Sequence, residues 1–114
     1  MNKIAVIGSR SFNNYQLMKE TLDLIAKPGD IIISGGAAGA DSLAEDYAEE
    51  KGLQKLIIYP AWRIYGKRAG LIRNEQMVNK CDQVVAFWNG NSNGTRHSIN
   101  FAKIQNKPVT IVRF

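Results

Sequence analysis

The chain is poor in the residues that usually announce a chemistry: 114 residues hold one cysteine, one histidine and three prolines. A single cysteine, Cys81, excludes an internal disulfide. With no Cys or His near it in sequence, it reads as a small core residue. One histidine and one cysteine are too few for a metal constellation, so neither a metal nor a cofactor is expected. There is no P-loop lysine–serine signature and no Ser-His-Asp pattern in a fitting context. Long hydrophobic runs are missing as well. The stretch after Met1-Asn2-Lys3 holds only Ile4-Ala5-Val6-Ile7 before Gly8, too short for a signal peptide or a membrane span. A cytoplasmic location and no membrane partner are therefore expected. Linkers, repeats and low-complexity segments are also lacking, so residues 1–114 read as one domain. Acidic residues are the minority, 10 against 15 Lys and Arg, for a net charge of +5. This favours anionic partners without choosing between a nucleotide and a nucleic acid.

What the chain does have is five short, unbroken apolar runs: Ile4–Ile7, Ile31–Ile33, Leu56–Ile58, Val84–Phe87 and Val109–Val112. Unbroken runs read as strands buried on both faces. The intervals between them carry helical patterns. Asn13 caps the first, with Gln16 closing a capping box and Met18, Leu22 and Ile25 inward. The second runs from Ala40 to Lys51. The third covers Arg68 to Lys80, with Leu71, Val78 and Cys81 on its apolar stripe and the polar Asn74 among them. The fourth runs from Thr95 to Gln105. Alternating strands and helices predict an α/β fold: a three-layer sandwich around a five-stranded parallel sheet in the order 3-2-1-4-5.

In such sheets ligands sit beyond the C-terminal strand ends, where the strand order reverses. The first strand ends in Gly8-Ser9-Arg10. The second runs into Gly35-Gly36-Ala37-Ala38-Gly39-Ala40-Asp41, a density of small residues that lets backbone N–H groups approach an anion at a helix start. The third leads into Tyr59-Pro60-Ala61-Trp62, and the fourth into Trp88-Asn89-Gly90-Asn91-Ser92-Asn93-Gly94-Thr95. A phosphate-binding backbone beside an aromatic surface is the shape of a nucleotide pocket. Arg10 reads as a solvated loop charge or as a fork for phosphate or carboxylate. Arg73, early in its helix, is placed to reach over the pocket, and Asn74 needs a buried partner. Asp41 either complements a helix dipole or serves as a ribose-hydroxyl acceptor or acid group. His97 is either structural or an acid–base group. One of Trp62 and Trp88 is expected on the ligand, and Trp62 is the candidate.

Taken in order, Gly8-Ser9-Arg10, Ser34 to Asp41, Gly66 to Asn74 and Phe87 to His97 resemble the YspA/YpsA-related branch of the SLOG superfamily. The resemblance spans nearly the whole chain. It implies a Rossmann-like fold and kinship with the LOG phosphoribohydrolases and the DNA-processing protein DprA. It implies a nucleotide or nucleotide-derived ligand, bound in a sensor or cleaved at its N-glycosidic bond. It leaves single-stranded nucleic-acid binding open through Arg63, Lys67, Arg68 and Arg73, and a homodimer open as well. The LOG hydrolases carry Gly-Gly-x-Gly-Thr-x-x-Glu with a catalytic glutamate. Here Gly94-Thr95-Arg96-His97 runs into Ser98 at the glutamate's place, which leaves Asp41 and His97 as the acid–base candidates.

Overall fold

The computed structural model describes residues 2–114. Its strands are β1 (Lys3–Gly8), β2 (Ile31–Ser34), β3 (Gln54–Ile57), β4 (Gln83–Trp88) and β5 (Val109–Arg113). They form one sheet in the order β3-β2-β1-β4-β5, with every neighbouring pair parallel. The order reverses at β1, between its pairings with β2 and with β4. Helices α1 (Tyr15–Asp23) and α2 (Ala40–Lys51) cover one face, and α4 (Ala69–Lys80) and α5 (Asn93–Ile104) cover the other.

The period of two in β1 divides the core. Ile4 and Val6 join Phe12, Met18, Leu22, Ala44, Tyr47 and Phe87 beneath α1 and α2. Ala5 and Ile7 join Met77, Val78, Cys81, Ala86, Ile99 and Ala102 beneath α4 and α5. Cys81 is a core residue, and desolvation raises its thiol pKa. Only the three central strands are buried on both faces. β3 and β5 are sheet edges with mostly exposed or half-buried residues, so unbroken hydrophobicity overstated their burial.

Three local expectations are corrected. The first helix is capped by Asn14, whose side chain accepts from Leu17 N–H, because the helix starts at Tyr15 and the residue three ahead of Leu17 is Asn14 rather than Asn13. Ile25 lies past that helix and is only half-buried. Leu71 is 42% exposed, so the inward face of α4 is instead Ala69, Arg73, Met77 and Val78, spaced by four and by one. A short helix α3 (Trp62–Tyr65) and a 3-10 turn (Gly66–Arg68), both unforeseen, carry the chain from β3 into α4. Among the described residues no helix is long and apolar enough to cross a membrane.

Candidate functional site

The C-terminal ends of β1, β2 and β4 meet the first turn of α4 around a cavity of about 300 Å³. The end of β1 and the turn after it contribute Gly8 and Arg10, the β2–α2 connection Ala37 and Asp41, and the β4–α5 connection Ser92, Gly94 and Thr95. Arg73 and Asn74 close it from α4, together with Lys67, Gly70 and Leu71. A second depression of about 240 Å³ lies beside it, lined by Gly35, Gly36, Tyr59, Pro60 and Trp62. Arg10, Ala37 and Arg73 line both. Ser9, Gly39, Asn91 and His97 line neither.

The glycines of the β2–α2 turn have structural reasons of their own. Gly36 has φ +71°, a left-handed conformation, and a Cβ there would sit 2.5 Å from Tyr59 Cε1. A side chain at Gly36 would therefore strain the fold itself, whatever it did to a ligand. Gly39 has φ +79°, and a Cβ there would lie 2.6 Å from Arg10 Cα. That contact locks the β2–α2 turn to the end of β1. The turn's amides are partly satisfied from within. Gly36 N–H donates to Ser34 Oγ at 3.2 Å, Ala37 N–H to the Asp41 carboxylate at 3.2 Å, and Ala40 N–H to Ser9 C=O at 3.3 Å. Ser34 in turn donates to Glu45 at 2.6 Å. Asp41 thus holds the turn closed around a carboxylate of its own.

Arg73 is 8% exposed and anchors the site from the opposite wall. Its Nη1 donates to the carbonyl of Gly35, and its Nε donates to Asn74 Oδ1 at 2.8 Å. This is the buried partner that Asn74 required. Gly35 leaves the room: a Cβ there would stand 2.7 Å from Arg73 Nη1. Among the described residues no carboxylate neutralises Arg73 by direct contact. Glu75 faces His97, and Asp82 accepts from Lys3 N–H at the other end of the sheet. Burial lowers the Arg73 pKa, the charge of Asp41 opposes it, and the charge of Arg10 adds a smaller lowering. A buried guanidinium with no carboxylate in direct contact among the described residues, next to a second arginine, attracts an anion.

The β4–α5 turn is held by side chains. Asn89 Oδ1 accepts from Asn91 N–H at 2.8 Å and Ser92 N–H at 2.9 Å. Ser92 caps α5, accepting from Thr95 N–H. Trp88 Nε1 donates to Ser92 C=O at 3.1 Å, and its ring lies between Arg96 and Arg113, at 5.3 Å and 5.0 Å. Trp88 is thereby a brace for the turn, whereas Trp62 lines the second depression and is 53% exposed. Ser98 is fully buried and donates to Gly94 C=O at 3.0 Å, so this position packs the helix. His97 Nε2 lies 2.7 Å from Glu75 Oε2, between α5 and α4. Of the two acid–base candidates, only Asp41 lines the cavity. His97→Ala is expected to leave ligand affinity within about twofold and to cost under about 1 kcal/mol, the scale of a partly exposed pair. Calorimetric titration and urea melts check both.

Asp41 is 8% exposed, and its pKa is pushed up to about 6 from an ordinary 3.8, chiefly by desolvation. Glu45 adds to the rise, while the Ala37 amide and Arg73 oppose it. A carboxyl with a raised folded-state pKa binds its proton more tightly when folded. Its favourable contribution is complete below about pH 4 and is lost as pH rises through about 6. The loss is on the order of 2–3 kcal/mol. Asp41→Asn cannot ionise, so the wild type should lose stability relative to it between those limits. Urea melts of the two proteins across that window check this, and parallel pH curves would contradict it.

Lys67, Gly70, Leu71, Tyr59 and Pro60 complete the two lobes without having been singled out from sequence as ligand contacts. The signal for them was the polar, aromatic stretch after β3, whose fold into α3 brings it back over the strand ends.

With this geometry in place, comparison with known proteins is informative. The Gene 61 protein of Mycobacterium phage D29 is 32% identical over 118 residues, covering 96% of this chain and 94% of that protein. The DNA processing protein A of Helicobacter pylori, which binds single-stranded DNA, shares the fold with a TM-score of 0.78 at 22% identity. That alignment covers 96% of this chain but 64% of the Helicobacter chain. A family model matches residues 2–65, from β1 through α3, and so takes in the Gly8-Ser9-Arg10 end and the β2–α2 turn. The chain belongs to the YspA, cpYpsA-related SLOG family.

Proposed function

We propose that the protein binds a nucleotide or nucleotide-derived small molecule at the C-terminal end of its sheet, as a sensor of that ligand. The observation that carries this reading is the pair Arg10 and Arg73, which lines both lobes of the site while Arg73 is buried without a carboxylate in contact. The phosphate lies over Arg10, Arg73 and the capped start of α5 at Ser92–Thr95, where helix amides and the dipole add favourable potential. From the glycine turn, Ala37 lines both lobes beside the arginines. Asp41 sits where it accepts from a ribose hydroxyl. Native mass spectrometry of the purified protein tests this directly. A co-purified mass matching a nucleotide, lost on denaturation, is the expected result, and the same spectrum reports whether the protein is a homodimer.

A second reading, single-stranded nucleic-acid binding, is favoured by the run Tyr59 to Arg68, where exposed aromatics alternate with Arg63, Lys67 and Arg68. The ionic-strength dependence of affinity separates the two. A strand contacted through several phosphates gives a steep salt slope that grows with the number of contacts, whereas a mononucleotide gives a shallow one.

A further inference from the structure

The two lobes differ in chemistry. The first is polar, ringed by Asn74, Ser92, Thr95 and Lys67. The second is walled by two aromatic rings and a proline. Both rings stand on glycines. Tyr59 lies against Gly36, at a distance that leaves no room for a side chain there. Trp62 reaches toward Gly70, where a Cβ would stand 3.8 Å from its Cη2. Gly70 lines the first lobe and Trp62 the second, so the indole stands at the seam between them. Both rings are largely open to solvent, at 67% for Tyr59 and 53% for Trp62, although one belongs to a loop and the other to a helix that could have turned it inward. Among the described residues neither side chain has a hydrogen-bond partner.

We propose that the second lobe is a base-binding subsite: the planar heterocycle of a nucleoside phosphate stacks on Trp62 and against Tyr59, while its phosphate is held across Arg10 and Arg73 toward the first lobe. This rests on the nucleotide reading above and adds its orientation. Each lobe alone is at or below the size of a ligand pocket, and the two together reach the ordinary range. The shared arginines fix the anionic group at the waist. A flat, apolar face with an unfilled aromatic wall is then left for the other end of the molecule. Stacking tolerates any base, because each presents a π face, so this subsite contributes affinity more than choice of base.

The test compares two kinds of ligand, with and without a base. The four common ribonucleoside 5′-monophosphates and ribose 5-phosphate are titrated calorimetrically into the wild type, Trp62→Ala, Trp62→Phe and Arg73→Ala. Trp62→Ala is expected to weaken the nucleoside monophosphates by roughly five- to a hundredfold, the span of a lost base–aromatic stack, and to leave ribose 5-phosphate unchanged. Trp62→Phe is expected to recover most of that loss. Arg73→Ala is expected to weaken both ligands. Trp62 is half exposed and holds no hydrogen bond, so its removal should leave the urea midpoint nearly unmoved. Equal weakening of both ligands by Trp62→Ala, or none of either, overturns the subsite while leaving nucleotide binding itself intact. Failure of all four nucleotides to bind the wild type overturns both readings. Tighter binding of a single-stranded oligonucleotide than of any monophosphate, with a slope in salt that steepens with its length, assigns the aromatic wall to a strand and overturns the proposal.

Discussion

Arg73→Ala is expected to weaken nucleoside phosphate binding by roughly ten- to a hundredfold, the scale of one or two charge-assisted hydrogen bonds. The same change should cost about 1–3 kcal/mol of stability in the absence of ligand. Both effects follow from one geometry. The guanidinium is buried, it donates to the carbonyl of Gly35 and to Asn74, and the residue lines both lobes. From sequence alone Arg73 read as a residue reaching over the pocket. The structure makes it a clamp between the β2–α2 turn and α4, so the two losses should come together. Arg73→Lys separates them. A lysine keeps the charge but cannot span Gly35 and Asn74 with a planar fork, so part of the affinity should return while the clamp stays weakened. Calorimetric titration with a nucleoside monophosphate gives the first quantity and urea denaturation the second. Loss of stability with unaltered affinity would mean that Arg73 is only a clamp.

The largest effect on folding is expected at Gly39. Gly39→Ala should cost about 2–5 kcal/mol, the sum of a left-handed backbone and an unyielding contact with the backbone of Arg10. Gly52 supplies the control. It has φ +67° and ψ +27°, an ordinary left-handed helix cap, whereas Gly39 pairs φ +79° with ψ −127°, and nothing lies within 4 Å of the Cβ that an alanine would add at Gly52. Gly52→Ala should therefore cost only about 1–2 kcal/mol, the conformational part alone. The excess loss at Gly39 combines its less accessible backbone conformation with the docking of the β2–α2 turn against the end of β1. Equal losses in urea melts would show that the Arg10 segment gives way, and that this contact does not set the shape of the site.

The sheet was legible because its physics is local and repetitive. Unbroken Val and Ile runs mark strands, and helical intervals force parallel crossovers with one natural order. The bounds of α2 could be read to the residue, since Gly39 and Gly52 flank a helical pattern on both sides. The edges were less legible, because Leu56 and Ile111 look like core in sequence and become exposed only when no strand lies beyond them. The meeting of the β1, β2 and β4 ends with Arg73 and Asn74 followed from topology. What the glycines do there did not. Gly35 makes room for a guanidinium 38 positions away, and Gly36 for a ring from the far end of β3, contacts that no local pattern encodes. Trp88 and Trp62 looked alike in sequence. They part because Trp88 finds Ser92 C=O and two arginines to hold it, while Trp62 finds only the open face of a pocket.

The most direct test of the central claim is an amide chemical-shift map of the isotope-labelled protein titrated with a nucleoside monophosphate. Binding at the sheet's C-terminal end should move the amides of Ala37 to Gly39 and Ser92 to Thr95, together with the indole N–H of Trp62. Asn2, Asp30 and Gln83, which line a depression at the opposite end of the sheet, should stay still. Shifts gathered around that opposite depression, or saturation with no movement at either turn, would contradict the account.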